Sequence, residues 1–124
     1  MEDWEKSEKK SCQLYGRKTP ASGSKDSKLD IIGEGIYDGF RIENKFTQKK
    51  SRSVTLEELK KAFIQSIGHL CDWFFVLDFN LENRYVLMDE SLFIRMQEEI
   101  AEHRNCQAVY ENFPGDPTTG NLNS

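Results

Sequence analysis

Two short segments carry residue types able to do chemistry together: Asp30-Ile31-Ile32 and Arg41-Ile42-Glu43-Asn44-Lys45. Both read as strands. Strand side chains alternate between faces, so Glu43 and Lys45 point the same way with Arg41 beside them, while Phe40, Ile42 and Phe46 point into a core. Two converging carboxylates, Asp30 and Glu43, suit a hard cation such as Mg²⁺. A lysine next to them can orient or deprotonate an attacking water. That is equipment for hydrolysing a phosphodiester. The competing reading makes Glu43 and Lys45 a solvated strand face and Asp30 an ordinary strand-end acid. Asp38 is a rival for the first ligand, although its Asp-Gly context favours a turn.

The elements that must position these residues can be read around them. Residues 4–15 form a helix candidate with Trp4, Glu8, Ser11, Cys12 and Tyr15 on one face and Gly16 as its stop. Residues 17–28 read as a polar, basic loop rich in Ser, Gly, Pro and Lys. A strand over about Leu29–Ile32 leads through a glycine-rich turn, at Glu34-Gly35 or at Asp38-Gly39, into a strand over Phe40–Thr47. A basic loop with Lys49, Lys50 and Arg52 follows. Thr55-x-x-Glu58 then opens a helix as a capping box, with Leu56, Leu59, Phe63 and Ile67 at helical spacing and Gly68 as its end.

Trp73–Phe79 is apolar except for Asp78 and predicts a buried central strand. Asn80–Arg84 turns back into a strand over Tyr85–Met88. A helix over Ser91–His103 follows, with Leu92, Met96 and Ile100 inward. This order predicts an α/β sandwich around a mixed sheet. A single domain over 1–104 and an irregular tail over 105–124 are expected.

Composition narrows the classes. No long apolar run exists to span a membrane, and MEDWEKSEKK lacks the apolar core of a secretory signal, so a cytoplasmic protein is expected. Cys12, Cys71 and Cys106 are odd in number and lack zinc spacing, which predicts reduced packing thiols. The net charge of -4 divides unevenly. Residues 1–61 carry 14 basic against 11 acidic side chains, and residues 62–124 carry 3 against 10. The basic residues thus gather in the half with the candidate site, where phosphates would lie. His69 and His103 stand alone, and Tyr37 and Trp73 read as core or rim aromatics.

Arg17-Lys-Thr-Pro-Ala-Ser-Gly-Ser24, Asp30-Ile-Ile and Ile42-Glu-Asn-Lys45 together resemble the archaeal-type Holliday junction resolvases and their small phage-encoded relatives in the PD-(D/E)xK nuclease superfamily. The resemblance spans roughly residues 5 to 89. It implies a restriction-endonuclease-like α/β fold with a mixed central sheet flanked by helices. It also implies that Asp30 and Glu43, with the backbone carbonyl of Asn44, bind Mg²⁺ (Mn²⁺ substituting), and that Lys45 positions the nucleophilic water. The family's first-helix glutamate corresponds to Glu8, with Glu5 as the alternative. Ser22 matches the serine near the scissile phosphate. Arg17, Lys18, Ser24, Lys49, Lys50 and Arg52 would contact DNA. The motif departs from the family in Leu29-Asp30, where the family has Pro-Asp, and in its acidic C-terminal half.

The activity this implies is Mg²⁺-dependent resolution of four-way DNA junctions by a homodimer making paired nicks. Phe74, Phe75, Leu92, Phe93 and Met96 would form either the dimer interface or internal core. Three alternatives stay open: a nuclease or nickase acting on linear, damaged or single-stranded DNA, a non-catalytic DNA-binding or interaction module of the same fold, and an unrelated α/β interaction protein with a chance Glu-x-Lys and no affinity for divalent metal.

Overall fold

The computed structural model describes residues 1–19 and 31–111, with the backbone alone for 107–111. The chain divides after Asp89 into two compact units. The first holds a five-stranded mixed sheet in the order β1-β2-β3-β4-β5. Its strands are β1 Gly16–Lys18, β2 Ile31–Gly33, β3 Phe40–Thr47, β4 Asp72–Phe79 and β5 Asn83–Met88. β3 and β4 are parallel, and every other neighbouring pair is antiparallel. A parallel pair needs a crossover, which helix α2 (Leu56–Gly68) supplies. The second unit contains helix α3, Glu90–Glu111, so the expected boundary near residue 104 falls inside a helix.

Helix α1 (Asp3–Tyr15) packs on one sheet face, where Ile31, Ile42, Phe74 and Val76 form a core joined by Cys12 and Tyr15. α2 covers the other face, where Ala62, Trp73 and Phe75 cluster with Leu59, Leu77 and Leu87. This two-sided cover explains the apolar run over residues 73–77 of β4. Phe74 and Phe75 therefore serve the two opposite cores; neither is available to a dimer interface. Among the described residues, Cys12, Cys71 and Cys106 form no disulfide.

Helix α1 buries most of the expected face, with Ser11, Cys12 and Tyr15 inward, whereas α2 shares only Leu59 with the stripe expected of it. On α2 the inward positions are Leu59, Ala62 and Ser66, while Leu56, Phe63 and Ile67 are more than half exposed. The reason is volume: Trp73 and Phe75 rise from the sheet, and only small side chains let the helix approach them. On α1 the fully buried residues are Ser7 and Ser11, whereas Trp4 is half exposed. Those serines lie beside Asp78, the buried acid of β4. Ser7 donates to Asp78 Oδ2, Asn44 Nδ2 donates to Ser7 at 2.9 Å, and Ser11 donates to Asn44 Oδ1. Arg84 closes the ring by donating to Ser11 and, at 2.9 Å, to Asp78 Oδ2. Four elements meet in this one hydrogen-bonded circuit.

The segment read as a loop from residue 17 begins with β1. Gly16 ends α1 as expected, and it also pairs with Gly33, where an added Cβ would lie 1.8 Å from the Ile32 carbonyl oxygen. Between β2 and β3 the chain uses both glycines proposed for the turn. Gly35 (φ 65°) and Gly39 (φ 87°) bracket a single 3₁₀ turn over Gly35–Tyr37.

The Asp78 carboxylate is wholly buried, and Arg84 is the cation that compensates it. Asp78→Ala leaves that guanidinium, the Ser7 hydroxyl and the Leu81 backbone N–H without their acceptor, and is expected to cost about 3–5 kcal/mol. A urea denaturation series against wild type measures it.

Candidate active site

Glu43 and Lys45 come from β3, and the alternation of that strand decides where they point. Ile42 lies in the α1-side core and Asn44 hydrogen-bonds to α1, so Glu43 and Lys45 face α2. Their register partners on β4, Phe75 and Leu77, belong to the α2-side core. Both polar side chains are mostly buried at its rim, 24% and 16% exposed. Lys45 Nζ sits 3.5 Å from Glu43 Oε1, and 5.7 Å from the centroid of the Phe75 ring.

A third member was read only as a helix cap. Glu58 splits its two oxygens: Oε1 accepts from the Thr55 backbone N–H at 3.1 Å, completing the capping box, and Oε2 pairs with Lys45 at 2.8 Å. The sequence signal was present, since a capping-box glutamate needs only one of its oxygens for the cap. The element order also returns α2 to the sheet beside β3. The cluster thus has two carboxylates around one ammonium.

The acids titrate in opposite directions. Burial pushes the Glu43 carboxyl above its ordinary range, and the charge of Glu58 adds to this, against the pull of Lys45 and Lys61. The hydrogen bond from Lys45 holds Glu58 below its ordinary range, assisted by the cap. Ionising Glu43 is therefore costly in the folded state. Its contribution to stability is full below the carboxylate range of the unfolded chain and is lost as pH rises through the raised folded value. Glu58 contributes above that range, and its contribution is lost as pH falls through its own lowered value. A carboxylate that is expensive to ionise suits a site whose charge a bound cation would offset.

The remaining expected residues that the structure describes do not join this cluster. Asp30, Ser22 and Ser24 lie outside the described residues. Glu8 is mostly buried, but it pairs with Lys18 of β1 at 2.6 Å, on the α1 side of the sheet and not with the face of Glu43. Glu5 reaches back to the Glu2 backbone N–H in the α1 cap. Arg17 pairs with Glu34 at 3.2 Å, and Lys49, Lys50 and Arg52 are exposed beyond β3. Asn44 commits its side chain to α1, so the main-chain carbonyl is the group it can offer the site. Asp38 ends the 3₁₀ turn, in keeping with its Asp-Gly context. No group of three His, Cys, Asp or Glu residues arranged to hold a metal ion occurs among the described residues.

No protein-family profile, curated protein or solved structure matches this chain. Among the described residues, no helix is long and apolar enough to cross a membrane.

Since Lys45 lowers both acids, Lys45→Met is expected to raise the pKa of Glu43 further and to return that of Glu58 toward the ordinary carboxylate range. Side-chain ¹³C carboxyl shifts followed through a pH titration read both, and unchanged midpoints would dissolve the cluster.

Proposed function

We propose that this chain is a Mg²⁺-dependent endodeoxyribonuclease of the restriction-endonuclease-like fold, acting on branched DNA in the manner of a four-way junction resolvase. The observation that carries the reading is the presentation of Glu43 and Lys45 together from β3. Both are mostly buried, their charged atoms lie 3.5 Å apart, and Glu43 is reluctant to ionise. Asp30 directly precedes Ile31, whose register partner Ile42 directly precedes Glu43. The sequence neighbours of both proposed ligands are thus paired across one antiparallel ladder.

In this reading Asp30 and Glu43 hold the cation, with the Asn44 carbonyl as a neutral third donor. Bound Mg²⁺ supplies an acidified water and a counter-charge for the phosphate. Lys45 keeps one hydrogen bond to Glu58 and directs its remaining donors to the water and to a phosphate oxygen, where negative charge builds as the hydroxide attacks. Glu58 fixes the lysine against α2, which limits its freedom before substrate arrives. Paired nicks in a four-way junction require two such sites related by symmetry, hence a homodimer. The exposed Leu56, Phe63 and Ile67 on α2 supply apolar surface that a second copy could cover.

A second reading has its own support. The 2.8 Å pair between Lys45 and Glu58 is enough to account for both residues as a staple joining β3 to α2 in a DNA-binding module that does not cut.

The two readings separate in one experiment. Purified protein is incubated with Mg²⁺ or Mn²⁺ and, in parallel, with a four-way junction, a flap, a single strand and a linear duplex. Symmetric paired nicks in the junction alone are expected. Asp30→Asn, Glu43→Gln and Lys45→Ala are each expected to abolish cutting while leaving junction binding largely intact. Wild-type cleavage by any of the three would refute the assignment of that residue, and binding without cutting by the wild type would select the inert module.

A further inference from the structure

A pocket of about 580 Å³ opens where β3 and β4 end, lined by Gln48, Lys49, Lys50, Phe79, Asn80, Glu82, Asn83 and Tyr85. Its volume falls in the range of small-ligand sites. Its two rims are laced together: the Asn80 backbone N–H donates to the Thr47 carbonyl at 2.8 Å, and the Lys49 N–H donates to the Thr47 hydroxyl at 3.1 Å. Gln48 is fixed in turn by donating to Asp3 at 3.0 Å. The aromatic wall is Tyr85, 59% exposed and buttressed edge-on by Phe79 with ring centroids 6.3 Å apart.

The lining combines an exposed aromatic face, two ammonium groups and side-chain amides. That is the chemistry of a nucleobase with its flanking phosphates: the ring stacks, the lysines take the backbone, and the amides reach the base edge. Glu82, the carboxylate of the pocket, repels phosphate and so confines the backbone to the Lys49–Lys50 side.

Register ties this pocket to the candidate active site. Lys45 pairs with Leu77, and Leu77 pairs with Tyr85, so the three form one row across a single sheet face. Thr47, Phe79 and Asn83 form the next row on that face. Tyr85 thus stands two inter-strand spacings from Lys45, roughly 10 Å away.

We propose that this pocket binds an unpaired nucleotide of single-stranded DNA, its base stacked on Tyr85 and its phosphates on Lys49 and Lys50. It would hold the strand that leads to the scissile phosphate; in that last respect the inference rests on the nuclease reading, whereas binding itself does not.

The test is fluorescence anisotropy of a labelled short oligothymidylate at low salt in EDTA, beside an abasic oligomer of equal length. Wild type is expected to bind the thymidylate more tightly. Tyr85→Ala should weaken thymidylate binding about ten-fold and leave the abasic oligomer unchanged, and Tyr85→Phe should restore it. Lys49→Ala with Lys50→Ala should weaken both ligands and flatten the salt dependence. Equal thymidylate binding by Tyr85→Ala and wild type overturns the proposal, as does a wild type that does not distinguish the two oligomers. Because no divalent cation is present, the outcome is independent of cleavage. Junction cutting with a dispensable Tyr85 sinks this inference alone, and Tyr85-dependent binding without any cutting sinks the nuclease reading alone.

Discussion

A buried carboxylate needs donors from every side, and Asp78 draws those donors from across the first unit. Ser7 and Arg84 bond to one oxygen, and the backbone N–H of Leu81 bonds to the other at 2.9 Å. Through Ser7 and Arg84 the circuit runs on to Ser11 and Asn44. One acid therefore fixes the rotation of α1, the registry of β3 against it, and the turn between β4 and β5. In that turn Asn80 and Leu81 both take positive φ, 59° and 67°. This is tolerable for asparagine and strained for leucine, and the bond to Asp78 helps to hold it.

The circuit also orients the candidate site. Asn44 stands between Glu43 and Lys45 in sequence, and a strand offers only two faces. Holding Asn44 against α1 obliges its neighbours to face α2, where Glu58 waits on the first turn of that helix. Structural polar groups on one side of the sheet thus present chemically capable ones on the other. The division of labour costs little, because each group that leaves water finds a partner.

The same face gathers more than a catalytic cluster would need. Glu43, Lys45 and Glu58 occupy its middle, while Tyr85, Lys49 and Lys50 line its end. The α2-side core beneath them is small, built on Trp73 and Phe75, so the polar residues stand at its margin and not within it. A margin of this kind keeps charged groups partly desolvated yet reachable, the condition under which a carboxylate can be shifted and still meet a ligand.

Much of this was legible in the chain. β3 follows the alternation of Phe40–Thr47, α2 starts at its Thr55–Glu58 box and ends at Gly68, and β4 matches the apolar run around Trp73–Phe79. These are local signals, set by side-chain period and by caps, and they need no knowledge of neighbours. The pairing of Glu43 with Lys45 belongs with them, because two residues apart on a strand means one face. What only the tertiary structure decided was which stripe each helix buries and which partner each charge takes. Apolar spacing favoured Phe63 and Ile67 over Ala62 and Ser66 on α2; on α1 it found Ser11, Cys12 and Tyr15 but put Trp4 on the inner face and passed over Ser7. Those choices were settled by the bulk of Trp73, on the next element of the chain, and by the charge of Asp78, far away in sequence. Glu58 acquired its second role for the same reason: a helix cap is written in four consecutive residues, but the lysine it meets arrives only when the sheet and helix pack.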